Sequence, residues 1–360
     1  MKTKHRIFFQ NARKMKAIDS KSIDLVVTSP PYPMIQMWDE LFQKINPKIK
    51  AAFKKNDGNA AFELMHTALD TVWDEVVRVL KNGGFACINI GDAVRTINEK
   101  FMLYPNHSRI LSALQQRGLS PLPAVIWRKQ TNAPNKFMGS GVLPAGAYVT
   151  LEHEYILILR KGGKREFCDS DERLHRQQSA FFWEERNQWF SDVWMDVKGS
   201  RQDLTDKEVR KRSAAFPFEI PYRMINMYSV KGDTVLDPFF GIGTTMFAAM
   251  AAGRNSIGYE IDKNFLDVIE AQSKSIVDFS NQQISERLQR HDAFVKDRIK
   301  AKGPLKYTNG PHQFAVVMNQ EKNLKLDFLK SVEKTGRGSF EVEYTDTPKL
   351  ERFQQMELKM

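Results

Sequence analysis

Seven short apolar runs within residues 6–260 constrain the fold of this chain more than any other feature. Each run is rich in β-branched or aromatic residues, and most are bounded by Gly, Pro, Asn or Asp, so the runs predict buried strands. The runs lie at residues 6–10, 23–27, 85–90, 124–127, 155–159, 234–237 and 256–260. Near-continuous apolar strands are typical of a parallel sheet that helices cover on both faces.

Helical patterns separate some of these strands. Residues 61–80 have apolar side chains at mixed spacings of three and four, and the KNGG sequence that follows predicts a helix end. Residues 244–253 form a small-residue helical pattern that ends at Gly253. The alternation of strands and helices predicts an α/β fold with a doubly wound, mostly parallel, seven-stranded sheet.

Two segments interrupt this alternation. Residues 161–215 are polar, charged and aromatic by turns and predict an inserted region. Residues 281–360 are rich in Gln and Lys, have weak helical character, and predict a C-terminal appendage. The chain is therefore divided into 1–160, 161–215, 216–280 and 281–360.

Composition excludes several classes of protein. The 360 residues are 42% hydrophobic and 27% charged, which is enough apolar material for a large core. Cys87 and Cys168 supply neither a disulfide framework nor a metal-ligand spacing, which fits a reducing cytoplasm. No apolar run approaches the roughly 18 residues of a membrane span, and the basic N-terminus lacks the apolar stretch of a signal peptide. His153-Glu154 begins a zinc-protease pattern without its second histidine, so no metal site is predicted.

A glycine-rich turn, DPFFGIGTT at residues 237–245, follows the sixth predicted strand. Gly241 and Gly243 allow the backbone to approach a ligand, and the threonines open a helix whose first N–H groups are free. Glu260, which lies 19 residues after Gly241, ends the next predicted strand, where a carboxylate can accept both hydroxyls of a ribose. The third glycine of a dinucleotide motif is missing, so the pattern favours a nucleoside without a pyrophosphate. A tight turn in any α/β protein gives the same local signal.

A second motif, TSPPYP at residues 28–33, continues directly from the second predicted strand. Its three prolines fix φ and remove backbone donors, so the carbonyl groups of Ser29 and Pro30 can face a ligand. Tyr32 offers an aromatic face. The alternative interpretation is a proline-rich exit from a strand with no ligand.

Together the two motifs resemble the β class of S-adenosylmethionine-dependent DNA amino-methyltransferases, in which a catalytic SPPY motif precedes an FxGxG motif. The resemblance extends over most of residues 5–275. Further blocks that agree in content and order lie at residues 78–92, 124–137, 151–161 and 216–221. It implies a Rossmann-like methyltransferase fold with a circularly permuted motif order.

The resemblance also gives the predicted segments their roles. Residues 1–160 are the catalytic half of the methyltransferase domain, 161–215 a target-recognition insert, and 216–280 the cofactor-binding half. It does not cover residues 281–360. Trp183, Trp189 and Trp194 in the insert are read as the core of a small subdomain, with DNA contact as the alternative.

The implied reaction is methyl transfer from S-adenosylmethionine to the exocyclic amine of a base flipped out of duplex DNA. The implied catalytic residues are Ser29, Pro30, Pro31 and Tyr32, with Ser29 and the Pro30 carbonyl accepting hydrogen bonds from the amine and Tyr32 stacking on the base. Serine is a weaker base than the aspartate common in adenine-specific relatives, so solvent or a relay through Ser29 takes the proton. Cytosine N4 is therefore favoured over adenine N6, which stays an alternative.

Cofactor contacts carry over from the family position by position. The residues are Asn11, Ala12, Thr28, Phe216, Pro217, Glu219, Asp237, Pro238, Phe239, Gly241, Gly243, Thr244, Thr245, Glu260, Ile261 and Asp262. Among them, Glu260 is expected to bind the ribose, and core packing is the alternative for Phe239. The chain departs from the family at Gln10-Asn11-Ala12, where relatives often carry an aspartate that contacts the cofactor.

The net charge of +11 favours an anionic partner. Residues 41–56 and 100–151 are rich in Lys and Arg and contain no acidic residue, so phosphate contacts are expected on the catalytic face. The candidate DNA contacts are Lys54, Lys55, Arg128, Lys129, Asn132, Lys136, Arg201 and Gln202.

Four functions follow from these motifs: a cytosine-N4 DNA methyltransferase, an adenine-N6 DNA methyltransferase, a methyltransferase for RNA or a free amine, and a non-catalytic DNA-binding subunit. The intact motifs argue against the last. Nuclease residues are not recognisable, so a cognate restriction endonuclease would be a separate protein. Association with the nucleoid is expected, whereas homodimer formation and the recognised DNA sequence are not legible.

Overall fold

The computed structural model describes residues 1–129, 143–146, 148–198 and 216–345. The strands are β1 (Lys2–Phe8), β2 (Ile23–Thr28), β3 (Leu80–Ile90), β4 (Ala93–Ile97), β5 (Lys100–Tyr104), β6 (Leu119–Arg128), β7 (His153–Lys161), β8 (Val193–Trp194), β9 (Thr234–Asp237), β10 (Asn255–Tyr259), β11 (Tyr307–Thr308), β12 (Ala315–Val316), β13 (Phe328–Gly336) and β14 (Ser339–Thr345). The helices are α1 (Asp39–Ile45), α2 (Pro47–Lys54), α3 (Gly58–Val79), α4 (Asn106–Gln116), α5 (Ser170–Gln178), α6 (Trp183–Trp189), α7 (Glu219–Tyr228), α8 (Thr244–Ala252), α9 (Phe265–Ser273) and α10 (Ile276–Lys302).

All seven predicted strands lie side by side in one sheet, in the order β1-β10-β9-β2-β3-β7-β6. The first five of these are parallel, and β7 is antiparallel to both of its neighbours. The predicted doubly wound α/β class is therefore confirmed. The sheet has ten strands rather than seven, because β8 extends one edge and the β13–β14 hairpin extends the other.

Strand β2 shows why its sequence is continuously apolar. All of its residues are buried, and their side chains alternate between the two faces of the sheet. Leu25 and Val27 pack with helices α7 and α8, whereas Val26 packs with α3. Helices on both faces therefore exclude water from the central strands.

The predicted helix ends differ in accuracy. Helix α8 ends at Gly253, whose φ of +74° is left-handed, as its sequence predicts. Helix α3 ends at Val79 and strand β3 begins at the next residue, so the expected cap at residues 81–84 lies inside a strand. Within that strand Gly83 has a φ of +82°, close to an irregularity in the pairing with β2. In the described part of the chain no helix is long and apolar enough to cross a membrane.

The C-terminal segment has more structure than its composition indicates. Helix α10 is 27 residues long, and β14 pairs antiparallel with β1 in the main sheet. Alternate residues of β14 are buried, including Phe340 and Val342. This period-2 pattern is the sequence signal that predicts a strand there, whereas composition alone does not.

Residues 161–198 pack against the C-terminal segment. The Phe182 ring stacks on the His291 ring with centroids 3.8 Å apart, and the Glu185 carboxylate accepts two hydrogen bonds from the Arg287 guanidinium at 2.6 and 2.7 Å. Trp189 and Trp194 are buried, which confirms the core interpretation for both, whereas Trp183 is half-buried.

Candidate active site

The proline-rich and glycine-rich motifs meet at the carboxyl ends of two central strands. Strands β2 and β9 are parallel neighbours, so the residues that follow them emerge at the same edge of the sheet. The Thr28 hydroxyl donates to Asp237 Oδ1 at 2.6 Å, and the Thr245 hydroxyl donates to Asp237 Oδ2 at 2.7 Å. These two bonds connect the catalytic loop to the glycine-rich turn.

A cavity of about 410 Å³ opens at this edge of the sheet. Its walls are the SPPY loop, the glycine-rich turn, and helices α1 and α3. Twelve predicted cofactor residues line it: Asn11, Ala12, Phe216, Asp237, Pro238, Phe239, Gly241, Thr244, Thr245, Glu260, Ile261 and Asp262. Ser29, Pro30, Pro31 and Tyr32 line it as well. The volume is in the range of small-molecule sites, about 300–1,000 Å³.

Four predicted cofactor residues do not line this cavity. Thr28 lies behind the Asp237 carboxylate, and Gly243 begins helix α8 with a φ of +87°. Glu219 Oε1 accepts a hydrogen bond from Arg223 at 2.7 Å, and the Pro217 carbonyl accepts the Ile220 N–H at 3.0 Å. These residues hold the surrounding turns, and their expected cofactor contacts stay predictions.

The two aromatic residues of the turn have different positions. Phe240 is buried and lies over Gly258 of β10, where a Cβ atom would come within 2.0 Å of the ring. Phe239 is half-buried, lines the cavity, and has its ring centroid 5.7 Å from that of Trp73. Core packing therefore describes Phe240, while Phe239 faces the ligand space. Gly241 has a φ of +53° and open space at its Cβ position, so conformation rather than crowding favours glycine there.

The Glu260 carboxylate is already held by the backbone. It accepts the N–H groups of Gly241, Ile261 and Asp262, each at 2.8 Å. A carboxylate offers about four lone-pair sites, so roughly one remains for a ribose hydroxyl, rather than the two expected from sequence. Burial raises the pKa of Glu260 to about 7 and the pKa of Asp237 to about 6.

The catalytic tyrosine belongs to a hydrogen-bonded network that the sequence did not predict. Ser29 Oγ donates to Tyr32 Oη at 3.1 Å, and Tyr32 Oη donates to Glu154 Oε2 at 2.8 Å. The Asn89 amide donates to Tyr32 Oη at 2.8 Å and to Glu154 Oε2 at 2.7 Å. The available signal was a carboxylate beside the apolar run of strand β7, which in the sequence suggested only an incomplete zinc pattern.

A short helical segment covers one side of the cavity. Met37, Trp38 and Leu41 line the cavity from the turn before α1 and from α1 itself. The Asp39 carboxylate accepts two hydrogen bonds from the Arg95 guanidinium at 2.8 and 2.7 Å, so the β4–β5 hairpin holds this segment in place. Nothing in the linear sequence pairs these two residues.

Several of the basic residues expected to contact phosphate have acidic partners. In the window at 100–151, Arg109 pairs with Asp70 at 2.8 Å and Arg117 with Asp74 at 2.7 Å. Both acids belong to helix α3, outside the window, so the interpretation of this window as uncompensated charge is wrong for these residues.

The candidate DNA contacts are placed differently from one another. Arg128 pairs with Glu152 at 3.3 Å, and Lys129 pairs with Glu154 at 2.8 Å. Lys54 and Lys55 are exposed at the end of α2. The other candidates, Asn132, Lys136, Arg201 and Gln202, lie outside the described residues.

Two further groups bear on the chemistry. Cys87 is buried in β3, and burial raises the pKa of its thiol, so it is a packing residue as expected. His153 packs edge-on against Tyr155 with centroids 4.9 Å apart. Within the described ranges no group of three or more His, Cys, Asp and Glu side chains is placed to hold a metal ion.

The fold and the cavity define a nucleoside-binding α/β enzyme of the methyltransferase type, and comparison with known proteins gives the family. The chain belongs to the family of N6 and N4 DNA methylases, whose model matches residues 23–271. It is 51% identical over 354 residues to the type II methyltransferase M.MthZI of Methanothermobacter thermautotrophicus, with 98% of each chain covered. It is 50% identical over 279 residues to the type II methyltransferase M.MjaI of Methanocaldococcus jannaschii, which covers 74% of this chain and 90% of that one.

Solved structures agree with this assignment. A DNA modification methylase from Thermus thermophilus in complex with S-adenosyl-L-methionine is 29% identical, with a TM-score of 0.58 and coverage of 74% of this chain and 92% of that one. The cytosine-N4-specific PvuII DNA methyltransferase is 16% identical with a TM-score of 0.53, covers 78% of this chain and 92% of its own, and shows likeness of fold alone.

S-adenosylmethionine is therefore the cofactor, and the cavity fits it. Glu260 offers a lone pair for a ribose hydroxyl, and Phe239 offers an apolar wall. When bound, the cofactor supplies a methyl group that is already activated on sulfur. The chain then has to bind DNA, orient the accepting amine and remove a proton from it.

Proposed function

We propose that this protein methylates the exocyclic N4 amine of a flipped cytosine in duplex DNA. The observation that carries the choice of base is Ser29, which occupies the first position of the catalytic motif and lines the cavity. The carboxylate that is hydrogen-bonded to this loop, Glu154, contacts Tyr32 rather than the first position. No carboxylate of the motif itself is available to take the proton, in contrast to the adenine-specific motifs that begin with aspartate.

The chemistry of the amine explains why a serine suffices here. The nitrogen lone pair is conjugated into the ring, so the site has to draw the amine towards tetrahedral geometry. Ser29 Oγ gives its own proton to Tyr32 Oη, which leaves its lone pairs free to accept one amine N–H. The Pro30 carbonyl accepts the other, and the Tyr32 ring stacks on the base. Acceleration then comes mainly from positioning.

Extrusion of the base costs a few kcal/mol, which contacts with the flipped base offset. Adenine N6 is the alternative acceptor, because the family is named for both amines and the same cavity serves either. Methylated DNA should be digested to nucleosides and analysed by mass spectrometry. N4-methylcytosine is expected, and N6-methyladenine as the sole product would contradict the proposal.

Two broader alternatives are tested by the same assay. An RNA or small-amine methyltransferase would incorporate methyl groups without duplex DNA. A non-catalytic subunit would incorporate none. Substitution of both Ser29 and Tyr32 by alanine is expected to abolish incorporation, and full activity in that variant would overturn the catalytic assignment.

We further propose that the enzyme protects host DNA in a type II restriction–modification system, with a cognate endonuclease as its functional partner. Support comes from the two relatives that are named type II methyltransferases. Residues 161–215 are proposed to read the DNA site, and the basic residues to contact phosphate. Sequencing of DNA from a host that expresses the protein, with modified-base detection, identifies the site. Sedimentation with and without that DNA tests for a homodimer.

A further inference from the structure

We propose that Glu154 accepts the proton released by the target amine, through a relay from Ser29 Oγ to Tyr32 Oη to the Glu154 carboxylate. The relay rests on the proposed function in one respect, namely that Ser29 contacts the amine. It applies equally to cytosine N4 and adenine N6, since both lose one proton when they are methylated.

The geometry of the network supports a relay with a single direction. The Ser29 and Tyr32 hydroxyls donate in sequence towards Glu154, over 3.1 and 2.8 Å. Asn89 only donates to this network, through Nδ2, so it orients the Tyr32 and Glu154 oxygens without taking a proton. Glu154 is therefore the basic group at the end of the chain of hydroxyls.

Packing holds the network in place. Glu154 and Asn89 are only 8% and 3% exposed. A Cβ atom at Gly91 would lie 3.0 Å from the Tyr32 ring and 3.3 Å from Glu154 Cγ, so the backbone at Gly91 packs closely on both side chains. A buried carboxylate with an orienting amide and a donating hydroxyl has little freedom to rearrange.

Lys129 supplies the compensating charge. Its ammonium group lies 2.8 Å from Glu154 Oε1, on the side of the carboxylate away from Tyr32, and its side chain is 50% exposed. Before the reaction it balances the buried negative charge of Glu154. After the reaction it lies between the protonated carboxyl group and solvent, which is the direction in which the proton leaves.

The step balances in atoms and in charge. The amine nitrogen forms its bond to the methyl carbon as the carbon–sulfur bond breaks, and that electron pair stays on sulfur. The amine proton moves to Ser29 Oγ, the Ser29 proton to Tyr32 Oη, and the Tyr32 proton to Glu154 Oε2. Both hydroxyls end neutral, and the positive charge lost from sulfur matches the negative charge lost from Glu154.

The test uses Tyr32→Phe, Glu154→Gln and the double variant in single-turnover methyl transfer to duplex DNA that contains the recognised site. Tyr32→Phe keeps the ring that stacks on the base and removes only the relay oxygen. Each single variant is expected to slow transfer by about 10²-fold, which is typical for the loss of acid–base assistance. The double variant should be no slower than the slower single variant, because both changes interrupt one pathway. Glu152→Gln, a neighbouring carboxylate outside the network, is the matched control and should transfer at the wild-type rate with saturating DNA.

Readouts other than rate separate a relay from a structural role. Cofactor and DNA dissociation constants should stay within about threefold of wild type, and the solvent deuterium effect on transfer should be reduced in each single variant. Wild-type transfer by Tyr32→Phe would overturn the relay, as would additive losses in the double variant. If Glu154→Gln fails to fold, Tyr32→Phe and Glu154→Asp decide the question. The base identity is read from the product mass, so an error in the proposed function is recognised independently of the relay.

Discussion

The Thr28 hydroxyl lies 2.6 Å from Asp237 Oδ1 and thereby connects the last residue before the catalytic loop to the first residue of the cofactor turn. Both groups are buried. The two motifs are more than two hundred residues apart in sequence, yet the distance between the methyl donor and the accepting amine depends on this contact. A hydrogen bond to a charged partner contributes about 1.5–3 kcal/mol.

Replacement of Thr28 by valine tests this connection. The variant keeps the shape of the side chain and leaves Asp237 with one fewer donor, so the pKa of Asp237, already raised to about 6 by burial, should rise further. We expect weaker cofactor binding, by about tenfold at pH 7, measured by equilibrium dialysis. Thr28→Ser retains the donor and should bind within about threefold of wild type; equal losses in both variants would contradict the argument.

The raised pKa of Glu260 predicts a pH dependence of stability. Between the usual pKa of 4.5 and the folded value of about 7, the cofactor-free native protein holds a proton that the unfolded chain has lost. The free energy of unfolding should therefore fall as pH rises through this window, by up to about 3 kcal/mol. Urea unfolding at pH 5 and pH 8 measures it. Glu260→Gln should flatten the dependence and leave the smaller contribution of Asp237, which has the same sign; an unchanged slope would refute the prediction.

The ion pair between Asp39 and Arg95 predicts an effect on cofactor binding without direct contact. Because this pair holds the segment that covers the cavity, Asp39→Asn should weaken cofactor binding by about three- to tenfold. Arg95→Leu should have a similar effect, and the double variant should lose less than the sum of the two. Isothermal titration of the three variants gives the coupling energy, and strict additivity would show that the pair does not act as a unit.

The distribution of ion pairs predicts which basic residues contribute to DNA binding. Lys54→Gln together with Lys55→Gln should reduce the slope of log affinity against log salt by about 2. Arg117→Gln also removes a positive charge, but this residue pairs with Asp74, so its slope should stay close to wild type. Fluorescence anisotropy at several salt concentrations measures each slope. Equal changes per charge would show that only net charge matters.

The contact of Phe240 with Gly258 predicts a steric effect on the cofactor turn. A Cβ at residue 258 would come within 2.0 Å of the Phe240 ring, so Gly258→Ala should destabilise the protein by about 2–3 kcal/mol and weaken cofactor binding. Phe240→Ala is destabilising by itself because it leaves a cavity. Combined with Gly258→Ala, it should cost less than the sum of the separate changes, as measured by urea unfolding; a loss equal to that sum would contradict the steric account.

Strand β1 shows where sequence reasoning fell short. The apolar run at 6–10 predicted a strand there, but β1 covers Lys2–Phe8. Thr3 and His5 are polar yet buried, because Tyr344 and Ser256 supply hydrogen bonds in place of water at 2.9 and 2.8 Å. A hydropathy pattern cannot anticipate partners that lie two hundred and fifty or more residues away.

The sequence by itself determined the seven central strands, the helix that ends at Gly253, and most of the cavity lining, from Ser29 and Tyr32 to Asp237 and Glu260. These features follow from local patterns of hydrophobicity, glycine and proline. Only the tertiary structure decided the partners of these residues. Glu154 and Asn89 join Tyr32, Arg95 holds Asp39, and helix α3 neutralises basic residues that have no acidic neighbour in their own stretch of sequence. Such contacts depend on where distant strands and helices pack, and hydrogen bonds and ion pairs form over a few ångströms in space regardless of separation along the chain.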